Sequence, residues 1–447
     1  MTPLILCLAL AQSPAPAPPP PGSRAFRIDE EVRRLASRPL WPGFDPAKVP
    51  LAIFDGERTF LFRHPSPPPE FRRVADRPET AVVAGQHPLV RANTSVAIGD
   101  ARTATLLLDA TEETPVRESA AVAVHEAFHV FQADRHPKWG GNEVDLFTYP
   151  MDDPVLLQRS RLETEALRRS LAEKGEKGAA CWAAAALDLR RARFSQLGES
   201  GALYERGTEL KEGLARLVET RARGASSRDP VFPASEFAAA DVRSRSYAVG
   251  HAFGLLLDRF APGWESKLEA GAGETLDALL SGALSTRKAS RPCRFTSQET
   301  ARALDGAKRS LELARLTREA VREDFFRAGW KLVVLSDDEP LSPQGFDPLN
   351  VERLAPGEVL HSRWVKLGNS RGSLEVLNAR AVTESAGRHP LFEGVRRVTV
   401  SGLPEEPAVR ESPSGVAFEG KGVAGEFRGA SWRRDGQTIT VRVSKVP

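Results

Sequence analysis

The chain has little cysteine: three in 447 residues, at positions 7, 181 and 293. Cys181 and Cys293 lie too far apart, in contexts too different, to form a metal-binding pair. In an oxidising compartment they can form one disulfide, and otherwise they are two separate thiols, Cys181 beside Trp182 in an Ala-rich helix. Positive charge is not in excess either: Lys plus Arg number 62 against 59 for Asp plus Glu, and the basic residues are scattered. That excludes the clustered basic face of a nucleic-acid binder. Beyond the N-terminus no run approaches the roughly eighteen apolar residues that a membrane helix needs. There is no Gly-rich nucleotide loop and no repeat period. Histidine is scarce, with eight in the whole chain.

The length points to two or three domains, and the ordinary apolar and charged fractions to a folded chain. Residues 1–11 read as an export signal. A short apolar run ends in Ala9-Leu10-Ala11, with cleavage expected near Ala11, although the basic residues of a usual signal are missing. Cys7 follows Ile5 and Leu6, without the small residues of a lipoprotein site, so a periplasmic or extracellular protein is expected rather than a lipid-anchored one. Residues 12–22, QSPAPAPPPPG, form an extended Pro/Ala linker.

The rest divides by composition. A short helix over 26–35 precedes strand candidates at 51–54, 59–63, 80–84, 94–99 and 102–108, with Asp55-Gly56 as a hairpin turn. Helical periodicity follows over 115–135, 156–173, 179–196, 204–223, 246–259, 271–284 and 297–318. From about residue 328 short strands take over, at 331–335, 360–367, 372–377, 396–400, 417–419 and 438–443. The fold class expected is α+β: a small sheet, then a largely helical lobe, then an all-β accessory domain over 328–447.

Two of the few histidines fall at a telling spacing. His125-Glu126-Ala127-Phe128-His129 is an HExxH motif within a helix candidate. Four residues apart on a helix, the two imidazoles lie one turn above each other and can reach a single Zn²⁺, with Glu126 beside them as a base. A catalytic zinc takes a third protein ligand. The metzincin continuation is absent, since Gln132 stands where its glycine would be, and attention passes to carboxylates on later helices. In the segment 209–219, Leu210, Leu214 and Leu217 form an apolar stripe, while Glu212, Arg216 and Glu219 form another. Glu212 is the first choice as third ligand, with Glu209, Glu163 and Glu165 as alternatives. A hydrolytic site also needs a donor for the oxyanion. Tyr247 and His251, four apart on one helix, are the candidates, and Tyr204 competes with them.

With Glu212-Gly213-Leu214-Ala215 following the HExxH helix, the sequence resembles the gluzincins and, within them, the broad peptidase-MA-like group. The resemblance spans about residues 80–270. It implies a zincin-like domain over 23–327, with His125, His129 and Glu212 as zinc ligands and Glu126 as general base. It further implies that Glu219 orients an imidazole and that the substrate is a peptide or protein. The long separation of His129 from Glu212 departs from thermolysin-like enzymes and implies a helical insertion, which residues 156–200 can supply. The alternatives are a non-catalytic, peptidase-derived surface-binding protein and a zinc amidase acting on a cell-wall component.

Overall fold

A computed structural model describes residues 23–108, 114–224, 230–271, 273–285, 292–327, 329–347, 350–385, 387, 391 and 393–444. The expected signal and Pro/Ala linker lie outside these residues. Helix α1 (Arg24–Leu35) leads into six strands: β1 (Leu51–Phe54), β2 (Arg58–Phe62), β3 (Arg72–Val74), β4 (Arg77–Ala84), β5 (Thr94–Ile98) and β6 (Ala101–Leu107). They form one sheet in the order β3-β4-β2-β1-β6-β5. The β1–β2 hairpin closes as expected around Asp55, whose carboxylate accepts from the Glu57 and Arg58 amides, while Gly56 supplies a left-handed φ of 102°. The β1–β6 pair is parallel, in register Leu51↔Ala104, and the other pairs are antiparallel.

Helix α2 (Val116–Arg135) starts after Pro115 and stops at His136, because Pro137 cannot continue it. Its buried face packs on α1 and β6, and its Phe128 packs edge-on against Trp41 and Phe44. Burying Phe128 fully is worth about 2–3 kcal/mol. The helical region continues with α3 (Pro154–Ala172), α4 (Glu176–Leu197), α5 (Glu199–Thr208), α6 (Leu214–Arg223), α7 (Val242–Phe260), α8 (Trp264–Ala270), α9 (Leu276–Ser285) and α10 (Ser297–Arg327). The single helix expected over 204–223 is two helices joined by a π-helical turn, Glu209–Gly213. The helix expected over 297–318 runs on to Arg327, because Val321, Phe325 and Phe326 pack against the β-rich region.

That region is a seven-stranded and a six-stranded sheet enclosing a core that includes Leu332, Val334, Val365, Val398 and Val441. The strand Trp330–Ser336 pairs in parallel with Thr438–Val443 and antiparallel with Val395–Leu403. The strand expected over 360–367 is two, Glu358–His361 in one sheet and Trp364–Asn369 in the other, so the chain changes sheets at Ser362-Arg363. A Cys181–Cys293 disulfide ties α4 to the segment entering α10 and fits an oxidising compartment. Among the described residues no helix is long and apolar enough to cross a membrane.

Candidate metal centre

The HExxH helix presents its two imidazoles toward the turn that joins α5 to α6. His125 Nε2 and His129 Nε2 lie 3.1 Å apart. Glu212 Oε2 is 3.3 Å from His129 Nε2 and 4.0 Å from His125 Nε2. Four ligands at about 2.0–2.1 Å in a tetrahedron stand about 3.3–3.4 Å from one another, so two of these three separations match one ion and the third is somewhat wide. Among the described residues this is the only grouping of three His, Cys, Asp or Glu donors close enough to hold one ion.

The protonation pattern fits a cation as well. Gln132 Nε2 donates to the carbonyls of Leu210 and Lys211, so its Oε1 faces His129 Nδ1 at 2.8 Å and that nitrogen must carry the proton. Glu219 accepts from His125 Nδ1 at 3.0 Å and fixes the same tautomer there. Both Nε2 atoms therefore face the Glu212 carboxylate. With each Nδ1 engaged, Nε2 is the nitrogen left on each ring to bind a metal ion beside that carboxylate. His125, His129 and Glu212 form a cluster able to hold a metal.

Burial alone would raise the Glu219 carboxyl, but the His125 hydrogen bond and the charges of His125, Arg216 and Arg223 outweigh it and hold the group down at about 2. Burial likewise opposes ionisation of Glu212, and its two histidine neighbours and Lys211 reverse the balance. Glu126 is buried beside the cluster, and desolvation pushes its carboxyl up.

Backbone packing places Glu212. On an unbroken α-helix, residues three apart share a face, and Glu209 and Glu212 would point the same way. The π turn separates them. Glu209 pairs with the fully buried Arg190 at 2.6 Å, while Glu212 faces the histidines. A Cβ on Gly213 would stand 2.6 Å from Gly250 Cα, and one on Gly250 would stand 2.6 Å from the Glu209 carbonyl oxygen. The glycine after Glu212 thus serves close approach to α7.

The alternative ligands are engaged elsewhere. Glu163 bridges Arg190 and Arg193 in a buried ionic network that also takes in Glu205, Arg245 and Asp277, and Glu165 pairs with Arg168 and Arg169 on the surface. The proposed oxyanion donors separate. Tyr247 lies at the cluster: Arg243 Nε donates to its hydroxyl at 2.9 Å, and Glu212 is its strongest charged neighbour. His251 is one turn further along α7, where burial and Arg216 lower it to about 4, and its Nε2 has no hydrogen-bond partner among the described residues. Tyr204 donates to Glu143 in the loop after α2, and Arg243 also reaches Glu143 at 3.4 Å, so this loop forms one rim of the site. Sequence reasoning passed over Gln132 and Arg243. A polar residue three positions after the second histidine, on a face otherwise buried, was the available signal for Gln132.

Comparisons with protein-family models, with curated proteins and with solved structures returned no match.

Proposed function

We propose that this chain is an exported zinc metallopeptidase of gluzincin type, with residues 23–327 as its catalytic domain and 328–447 as an accessory β domain. The observation that carries the proposal is the pair of tautomer-fixed histidines of HExxH meeting a carboxylate from a second helix, with Glu126 buried alongside. His125, His129 and Glu212 would hold the ion. When bound, zinc supplies Lewis acidity, which polarises a peptide carbonyl and acidifies water. Glu126, made more basic by its burial, takes the proton from the attacking water and delivers it to the leaving amine. Glu219 and Gln132 keep the imidazoles oriented. Tyr247, its oxygen already accepting from Arg243, offers its own proton to the oxyanion. His251, set back toward Arg216, supports α7 and is the weaker choice for that role. The disulfide and the apolar N-terminal run both favour a periplasmic or extracellular location.

The test is twofold. Purified protein should carry about one zinc per chain. Glu126→Gln should retain that metal while losing hydrolysis of a casein or peptide-library substrate by about 10²-fold or more. Glu212→Ala should lose the metal itself. Undiminished cleavage by Glu126→Gln, or full zinc occupancy in Glu212→Ala, would reject the assignment.

A further inference from the structure

A cavity of about 270 Å³ lies between α3, α10 and the segment 236–237, and none of its walls comes from the metal cluster. Much of its lining is apolar, from Leu162, Phe237, Phe295 and Ala303. Into this setting the fold brings buried donors that nothing satisfies. Arg161 is 9% exposed, Thr164 6% and Arg245 4%. Arg161 Nε and Nη1, Thr164 Oγ1 and Arg245 Nη1 all lack a hydrogen-bond partner among the described residues. Arg161 and Thr164 are three apart on α3 and therefore share a face. Buried donors are almost always paired, and unpaired ones concentrated around one cavity call for an acceptor.

One side chain already shows what kind of acceptor fits. Glu236, 60% exposed, reaches in and places a carboxylate oxygen 2.8 Å from Arg161 Nη1, out of line for a hydrogen bond. The other charges at the cavity are largely committed: Arg168 and Arg169 to Glu165, Arg169 also to Glu299, and Arg245 to Glu205. Arg302 also lines the cavity but is exposed. Once Glu236 withdraws, Arg161 is, among the described residues of the cavity, the one buried cation without a committed carboxylate, so the interior offers one positive charge, which suits a monoanion. Arg161 Nη2 already donates to Ser310 Oγ at 2.7 Å, and a carboxylate, with two acceptor oxygens and no donor, can accept from Arg161 Nη1 and Thr164 Oγ1 together.

We infer that this cavity is a binding site for a small monocarboxylate with an apolar body, its carboxylate on Arg161 and Thr164 and its body against Phe237 and Phe295. Glu236 occupies the anion position until the ligand displaces it. The site stands apart from the metallopeptidase reading, because it shares no residue with the metal cluster.

Benzoate, titrated calorimetrically into the full chain, is the probe, with benzamide as its uncharged counterpart. Benzoate should bind saturably at one site, equally before and after metal is stripped with EDTA, and benzamide should bind at least about tenfold more weakly. Removing the internal competitor in Glu236→Gln, an exposed position that does not threaten folding, should tighten benzoate binding several-fold. Arg161→Gln combined with Thr164→Val should weaken it about tenfold or more. Equal affinity for benzamide, equal competition by inorganic phosphate, loss of binding on metal removal, or an unchanged affinity in Glu236→Gln would each overturn the proposal.

Discussion

Gln132 does two jobs with one amide. Its oxygen receives the His129 Nδ1 proton, and its nitrogen donates to two carbonyls of the π turn. The helix that carries two ligands is thereby fastened to the turn that carries the third. Gln132→Ala leaves a buried imidazole N–H without its acceptor and removes the side-chain donor from two carbonyls of the turn, although Lys211 keeps the Leu214 amide. Metal affinity should fall about 10- to 100-fold, read by competition with a chromophoric chelator, while helix content by circular dichroism stays the same. An unchanged affinity would mean that the tautomer is fixed by some other route. Gln132→Glu should lose less: it keeps the acceptor for His129 and loses the donor to Leu210 and Lys211.

At the scale of elements, the meeting of α6 and α7 with the π turn sets where Glu212 points. Gly250→Ala would press a methyl group against the Glu209 backbone, and backbone cannot turn aside as a flexible side chain can. A loss of about 1–3 kcal/mol in urea unfolding is expected, together with weaker metal binding, because the displaced element is the one that carries Glu212. Gly254→Ala meets only the Leu217 side chain and should cost less on both counts. The sequence reveals part of this arrangement. The His125, His129 and Glu212 cluster was legible, because motif spacing and the helical stripe are local properties. The π turn was not, since it depends on Glu209 finding Arg190 and Glu212 finding the histidines at once, a demand made by residues distant in sequence. The β-rich region was read less completely for a similar reason. Its edge and short strands, such as Ala408–Ser412 and Ser342–Phe346, have burial patterns without clean alternation, and their pairing partners decide them.

For the whole molecule, the order of sheet, helices and β-rich region follows the composition, and the stability of its last part should depend on acidity. His361 is fully buried between the two sheets, with Nδ1 lacking a partner among the described residues, and desolvation lowers its pKa to about 4 from an ordinary 6.5. Unfolded chains take up this proton first as pH falls. The fold therefore carries no penalty from His361 above about pH 6.5, loses stability progressively from there down to about pH 4, and loses no more below it. The full loss is about 3 kcal/mol. Unfolding free energies measured between pH 7 and 4 should fall less steeply in His361→Gln than in the unaltered chain, and parallel curves would exclude the effect.

The locked tautomers have a consequence for how the protein acquires its ion. Donors already aimed through Nε2 present the same face to any divalent ion that arrives. Nitrogen and carboxylate sites bind copper more tightly than zinc as a rule, so the three donors alone do not choose between them. Which metal fills the site should then follow from the supply where the chain folds, and protein refolded with copper in excess should be isolated as a stable mismetallated form.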